Sequence, residues 1–352
     1  MEAPISESMV ADCLEGRRVL VTGHTGFKGA WLTAWLRHLG AEVVGLSDRR
    51  YEEGAYVDLR ISEGTEEHEA DVRDFAAVDR IVREARPSMV FHLAAQPIVR
   101  AGWLDRRTTF ETNVMGTVNV VEASLAQPSV DAVVVVTTDK VYENANNGTY
   151  FVETDPLGGH DPYSASKAAA ELVLAPYRDA AHMGFRPRPV VSARAGNVIG
   201  GGDRAPDRLV PDLIRAFEAG EPVTLRRPDA VRPWQHVLDC LKGYLVLATA
   251  VLDGRQTADS YNFAHTASER TVLEIAREVA DRWGASPSSI QVERDDSTAE
   301  ATLLQLDAGR AAADLGWTPR WTVEESVRRT VEFYKASDKI DVARAHFRAH
   351  ME

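Results

Sequence analysis

An α/β fold built on a parallel sheet wound on both faces, with a smaller and discontinuous C-terminal domain, is predicted by three features of this 352-residue chain. In the first half, short β-branched runs alternate with amphipathic helical stretches, the pattern that yields a parallel sheet with helices on both sides. Near the N-terminus a strand, Arg18–Thr22, runs into the turn Gly23-His-Thr-Gly26-Phe-Lys-Gly29 and then an apolar helix. From Gly196 the texture changes to glycine- and proline-rich loops, with prolines at Pro206, Pro211, Pro222, Pro228 and Pro233.

Taken in order, residues up to about Glu15 are expected to form a short, partly ordered tail. Strands are expected at Arg18–Thr22, Glu42–Leu46, Met89–Leu93, Val133–Val136 and Val190–Ala193. Helices are expected at Ala76–Arg86, closed by Pro87, and at Thr109–Ser124 and Tyr163–His182, the last kinked or ended early by Pro176. Trp31 and Trp35, four apart on a helix, read as core residues facing the sheet. The acidic stretch Ser62–Glu69 reads as a solvated loop. Trp234–Leu252 returns to a helical pattern, and Tyr261–Ala264 is a short strand placed to rejoin the first sheet. Thr271–Trp283 and Thr322–Tyr334 are helices of a small lobe, the first followed by Gly284 and the second opened by an N-cap-like Thr322 with Glu325 three residues on. The domains are therefore expected at 16–193 with 231–266, and at 194–230 with 267–340.

A net charge of −13 argues against nucleic acid or an anionic membrane surface as partner, and no apolar stretch reaches membrane-spanning length. Cys13 and Cys240 lie far apart in unrelated contexts, with no metal or disulfide spacing, and the N-terminus lacks a signal-peptide pattern. A reducing cytoplasm fits this pattern.

The glycines have separate physical jobs: a tight turn, close backbone approach to a pyrophosphate, and close packing of helix on strand. The second strand is followed by Asp48, about 25 residues after Gly23, where a ribose-binding acid is expected. Together these features read as a Rossmann-type dinucleotide cradle. Tyr163 and Lys167 stand four apart on one helix, so an ammonium beside a phenol would favour the phenolate and make Tyr163 a general base. His24 reads as structural, His92 as packing beside the sheet, and Lys28 as either a phosphate contact or a solvated lysine. Of the tandem Arg226 and Arg227, a strand would turn at least one to solvent.

These residues resemble the extended branch of the short-chain dehydrogenase/reductase superfamily, and within it the nucleotide-sugar 4,6-dehydratases of the CDP-glucose type. The resemblance runs from about Arg18 to Ala336. Its most specific stretches are Val21–Gly29, Phe91–Pro97, Thr112–Thr117, Thr138–Lys140, Asp161–Lys167, Arg194–Asp203 and Val231–Val237. It implies that Gly23, Gly26, Phe27 and Gly29 hold the cofactor pyrophosphate, that Asp48 takes the ribose and that Asp71 and Val72 lie at the adenine. Leu93, Ala94 and Ala95 would line the nicotinamide path, together with Tyr163 and Lys167. NAD is the implied cofactor, with NADP second because Arg49 and Arg50 follow Asp48.

The implied chemistry is an internal redox dehydration. Tyr163 takes the O4 proton, aided by Lys167 and Thr138, while C4 gives up a hydride that later returns to C6. Asp139 protonates the departing C6 hydroxyl, provided that its surroundings keep it protonated. Relatives acting on dTDP-glucose or GDP-mannose carry a Glu where this chain has Lys140, which points to the CDP-sugar branch. Lys140 is either the C5 base or a charge that tunes Asp139. Gln96, Asn197, Arg208, Arg226 and Arg232 are the implied substrate contacts, Arg194 lies in the same wall as a further cation for the pyrophosphate, and His236 would shape the pocket. A homodimer through Thr109–Ser124 and Tyr163–His182 is implied as well. The alternatives are a nucleotide-sugar 4-epimerase or reductase, against which Asp139-Lys140 argues, and a non-catalytic dinucleotide sensor, against which the retention of Thr138, Tyr163 and Lys167 argues.

Overall fold

The computed structural model describes residues 3–144, 148–178, 189–265, 269–293 and 304–352. Strands β1 (Arg18–Thr22), β2 (Glu42–Ser47), β3 (Glu66–Glu69), β4 (Met89–His92) and β5 (Ala132–Val136) come from the first half of the chain. After the short β6 (Tyr150–Phe151), β7 (Val190–Ala195) continues the main sheet. The short strands β8 (Val198–Ile199), β9 (Val223–Leu225), β10 (Val231–Pro233) and β11 (Gln235–His236) lie outside it, and β12 (Ser260–Phe263) closes it. The seven-stranded sheet has the order β12-β7-β5-β4-β1-β2-β3 with every pairing parallel. The strand predicted at Tyr261–Ala264 thus rejoins the sheet, in register with β7 from Ser260 opposite Ser192 to Phe263 opposite Ala195.

Strand alternation divides the core in two. Val19, Val21 and Val134 belong to one apolar cluster, and Leu20, Val133 and Val135 belong to the other. Successive side chains of one strand leave the sheet on opposite faces, so both faces need a helical cover. Helices α1 (Glu7–Leu14), α2 (Phe27–His38), the one-turn α3 (Ala55–Asp58) and α4 (Phe75–Ala85) come first. Then follow α5 (Val99–Leu104), α6 (Arg106–Phe110), α7 (Gly116–Ala126) and α8 (Pro162–Arg178). A third cluster, including Leu213, Ile214, Ile275, Val279, Val327 and Val331, joins α9 (Leu209–Ala219) to two later helices. These are α11 (Val272–Trp283) and α12 (Val323–Lys335), separated from α9 by α10 (Val237–Leu252) and followed by α13 (Lys339–Met351).

Several expectations are corrected. The N-terminal tail is helical: Ser6 caps α1, Val10 and Leu14 are buried, and Glu7 pairs with Lys242 of α10 at 2.6 Å. Of the acidic stretch, Glu66–Glu69 is the edge strand β3 rather than a loop, and Glu67 of that strand is buried. An edge strand tolerates charge because only one of its flanks is paired. The helix expected at Thr109–Ser124 is interrupted by a π turn, Glu111–Met115. Pro176 lies in the last turn of α8, which ends at Arg178, and the expected extension to His182 lies outside the described residues. The left-handed Gly284 ends α11 as expected, and a capping box between Thr271 and Glu274 closes its first turn.

Candidate active site

The strand order reverses between β1 and β4, and in such sheets the crevice at the carboxyl ends of the strands is where ligands bind. Three loops leave that edge here, carrying Gly23 after β1, Leu93–Ala95 after β4 and Thr137–Asp139 after β5.

The glycine turn leaves no room for side chains inside and leaves its outer side open. Gly23 has φ +73°, and a Cβ there would stand 2.8 Å from the Ala94 nitrogen; one on Gly29 would stand 2.0 Å from the Gly23 carbonyl oxygen. At Gly26, the N-cap of α2, a Cβ would meet only the Gly23 oxygen at 3.4 Å, and no side chain caps the first turn. The first amides of α2 therefore face an open space beside the turn, which suits an anionic pyrophosphate. Phe27 opens that helix and packs toward Gly200. Behind the turn, Thr22 Oγ1 accepts from the amides of Leu93 and Ala94, both at 3.2 Å, and fixes the chain leading to Ala95.

His24 is structural, as expected. Its buried ring bonds Ser47 through Nδ1 (2.9 Å) and Glu67 through Nε2 (2.9 Å). It fills a slot that Gly45 leaves open, since a Cβ on Gly45 would stand 2.4 Å from the ring. His92 is buried between Thr22 and Thr117, and burial drives its pKa down to about 3, which keeps it neutral.

Asp48, the acid expected to take the ribose, is gripped by its neighbour Arg49 (2.6 Å), and Arg50 pairs with Glu67 (3.3 Å). Both cations suited to a 2′-phosphate thus already face a carboxylate. Asp71 is held by Arg73, whose hydrogen bonds lower its pKa. Val72 is buried beneath Gly116, and its carbonyl accepts from Asn119 at 2.9 Å.

The residues expected to carry the chemistry lie at the 3₁₀ turn Asp139–Val141 and on the first turns of α8. Thr138 Oγ1 donates to Asp139 Oδ1 at 2.9 Å, and the same hydroxyl favours the Tyr163 phenolate against the effect of burial. Asp139 is buried, and burial raises its pKa against the opposing charges of Lys140, Arg232 and Lys28. Its other oxygen packs on Gly196, where a Cβ would stand 3.1 Å away. Burial also pushes Tyr163 up to about 12 and Lys167 down to about 8. The expectation for this pair is altered. Lys167 donates to the Val136 carbonyl at 3.0 Å, and the cation acting most strongly in favour of the Tyr163 phenolate is Arg208. Lys28 is neither a free surface lysine nor remote: it lies 3.3 Å from the Tyr244 hydroxyl, and its charge acts on Lys167.

The implied substrate contacts fare unevenly. Arg208 and Arg232 act electrostatically on Tyr163 and Asp139 respectively, although Arg208 also pairs with Asp203 at 3.2 Å. Asn197 is partly buried at the start of the same wall, and Arg226 is exposed just past β9. Gln96 spends its amide inside the protein, donating to Thr109 (2.9 Å) and accepting from the Ile98 amide (2.6 Å). Arg194 is not available for a pyrophosphate, because it is buried and bonded to Glu171 at 2.9 Å. His236 is buried against Trp321, ring centres 4.7 Å apart, where it belongs to the core rather than to a pocket wall. Sequence reasoning missed Gly196, Asn119 and Asn113. Asn113, in the π turn, bonds both the Gln96 backbone and Ser166, and a π turn is a recurrent mark of functional sites.

Comparison with known proteins agrees with this geometry. Residues 19–264 match the NAD dependent epimerase/dehydratase family. The chain is 40% identical over 332 residues to the CDP-glucose 4,6-dehydratase of Salmonella typhimurium, covering 92% of this chain and 91% of that one. It is 29% identical over 335 residues to a dTDP-glucose 4,6-dehydratase of Xanthomonas campestris, covering 90% and 92%. Among solved structures, the dTDP-glucose 4,6-dehydratase DesIV of Streptomyces venezuelae, with NAD bound, superposes with a TM-score of 0.77 at 26% identity, covering 90% and 97%. The UDP-glucose 4-epimerase of Thermus thermophilus, also with NAD, gives a TM-score of 0.77 at 28% identity, covering 91% and 99%. The glycine turn, the sheet order and the Tyr163–Lys167 helix thus have one explanation: this chain belongs to the NAD dependent epimerase/dehydratase family.

Proposed function

We propose that the protein is a nucleotide-sugar 4,6-dehydratase that converts CDP-glucose to CDP-4-keto-6-deoxyglucose, with NAD held by the glycine turn, Asp48, Asp71 and the Leu93–Ala95 segment. The observation that carries the reading is the buried Asp139 carboxyl, pushed up in pKa by burial and hydrogen-bonded to Thr138, whose hydroxyl favours the Tyr163 phenolate. A 4-epimerase leaves the C6 hydroxyl in place and gains nothing from a protonated acid at this point. The 40% identity to a CDP-glucose enzyme supports the same substrate.

Held by these residues, NAD would supply the acceptor for the C4 hydride and the means of its return to C6. Tyr163 takes the O4 proton, with Thr138 holding the sugar oxygen in line and Arg208 favouring the phenolate. The 4-ketone makes the C5 hydrogen acidic, and Lys140, the basic side chain next along the turn, is assigned both its removal and the return of a proton to C5 when the hydride reaches C6. Asp139 delivers a proton to the C6 oxygen, which leaves as water. Arg232 and Arg208 are assigned to the sugar diphosphate, with Asn197 beside them. The nucleotide-binding part is assigned to 16–193 with 231–266 and the substrate part to 194–230 with 267–340.

A cytoplasmic location is part of the proposal. Cys13 and Cys240 are free, and among the described residues no helix is long and apolar enough to cross a membrane. So is a homodimer through α6–α7 and α8, whose surface exposes Phe110, Met115 and Leu172. The test is to incubate the protein and NAD with CDP-glucose or with dTDP-glucose and to follow the alkali-induced absorbance of 4-keto-6-deoxy sugars. Product from CDP-glucose alone is expected. Product from dTDP-glucose alone would overturn the nucleotide assignment, and no product from either would overturn the dehydratase.

A further inference from the structure

Helix α8 grips the end of β5 at two successive levels. Lys167 donates to the Val136 carbonyl, and one helical turn on Glu171 accepts from the Thr137 hydroxyl at 2.6 Å. Glu171 is almost wholly buried and makes four charge-assisted bonds. They come from Thr137, from Ser192 (2.6 Å), and from Arg194 through Nε (2.9 Å) and Nη2 (3.1 Å). Arg194 continues the chain of bonds to the far side of the Thr138–Val141 turn, donating to the Tyr142 hydroxyl at 2.9 Å and to the Glu153 carbonyl at 3.1 Å. Tyr142 donates to Asn262 on β12 at 2.7 Å and stacks on Phe151 at 5.0 Å.

The turn that carries Thr138, Asp139 and Lys140 is therefore held just before and just after by one ion pair. The same carboxylate sits on the helix that carries Tyr163 and Lys167. A buried Arg–Glu pair is weak evidence of stability, because desolvation offsets most of its attraction, so its placement calls for another account. Resting on the dehydratase reading, we propose that Glu171 and Arg194 are positioning residues that fix the distance between the base on α8 and the acid on the Asp139 turn, so that one bound sugar meets both. The two half-reactions make different demands. Proton removal at O4 needs Tyr163 and Thr138, whereas elimination also needs Asp139 aligned with the C6 oxygen while Tyr163 still holds O4.

Thr137→Val tests this without breaking the ion pair, since it removes one hydroxyl at an otherwise isosteric position. In stopped-flow single turnovers with CDP-glucose, reduced nicotinamide is expected to appear at close to the wild-type rate. Its decay, and the dehydrated product, are expected to slow by on the order of 10- to 100-fold, the range a misplacement of about 1 Å causes. KM is expected to stay unchanged and Thr137→Ser to restore the second phase. Both phases unchanged, or both slowed by one factor together with a lower Tm, would overturn the proposal. If the wild type dehydrates no CDP-glucose, it is the dehydratase reading that falls. The network is then judged by Tm in a double-mutant cycle of Thr137→Val and Glu171→Gln, where additive shifts overturn it and coupled shifts support it.

Discussion

At Asp139 stability and chemistry pull in opposite directions. A carboxyl group whose folded pKa lies above its unfolded value contributes least when ionised: the stability is fully present below the unfolded pKa and is lost as pH rises through the folded one. Burial raises the Asp139 pKa, so near neutral pH the fold carries whatever cost its ionisation brings. We predict that Asp139→Asn keeps NAD binding, abolishes dehydration, and has a Tm at or above that of the wild type at neutral pH. The Tm advantage should shrink as pH falls and the wild-type carboxyl protonates. A variant less stable than the wild type at every pH would show that Asp139 is held as a paired carboxylate instead. Asp139 was legible in the sequence because it follows an apolar strand and precedes Tyr163 and Lys167 at a motif's spacing. The partner of Arg194 was not. Glu171 and Arg194 lie 23 residues apart on a helix and a strand, and only the packing of α8 on β7 shows that the arginine is consumed. For the same reason nothing local shows that the Gln96 amide bonds Thr109 and the Ile98 amide.

Among the elements, α13 was not recognised and has the clearest energetic role. Its buried stripe is Ala343, His346, Phe347 and His350, spaced as one helix face, but two of the four are histidines and break the apolar signal. Helix α1 was lost to its brevity, although Ser6, Val10 and Leu14 are an N-cap and an apolar pair at helical spacing. The long elements were readable because the glycine turn, the valine run Val133–Val136 of β5 and the Gly284 that ends α11 agree locally with the fold they enter. Phe347 stacks on Trp35 at 5.6 Å and meets Trp31 edge-on at 5.8 Å. Both tryptophans belong to α2, the helix whose N-terminus closes the glycine turn, so α13 supports the cradle from behind. Phe347→Ala is predicted to cost about 3–5 kcal/mol by cavity formation and to weaken NAD binding, read by thermal denaturation and by titration calorimetry. Unchanged NAD affinity in a destabilised variant would separate α13 from the cradle.

The molecule as a whole carries a net charge of −13 and yet leaves apolar side chains on one helical surface. Leu104 is 84% exposed, Leu172 62% and Met115 51%, on α5, α8 and the π turn before α7. Isolated exposed leucines need no explanation, but Met115 and Leu172 lie on the segments assigned above to the dimer and Leu104 on α5, which packs against α6 and α8, and a stable interface requires about 800 Å² from each partner. Two like-charged copies repel at long range, so association through this surface must be driven by apolar contact and helped by screening. The protein is predicted to sediment as a dimer whose dissociation constant falls as ionic strength rises. Leu172→Asp is predicted to weaken the dimer by on the order of 100-fold, since a carboxylate buried without a partner costs several kcal/mol, while the secondary structure of the monomer is unchanged. Sedimentation equilibrium at two salt concentrations decides the matter. A dimer that loosens with salt would place ion pairs at the contact in place of this apolar face, and a variant that dimerises like the wild type would move the interface to another surface of the molecule.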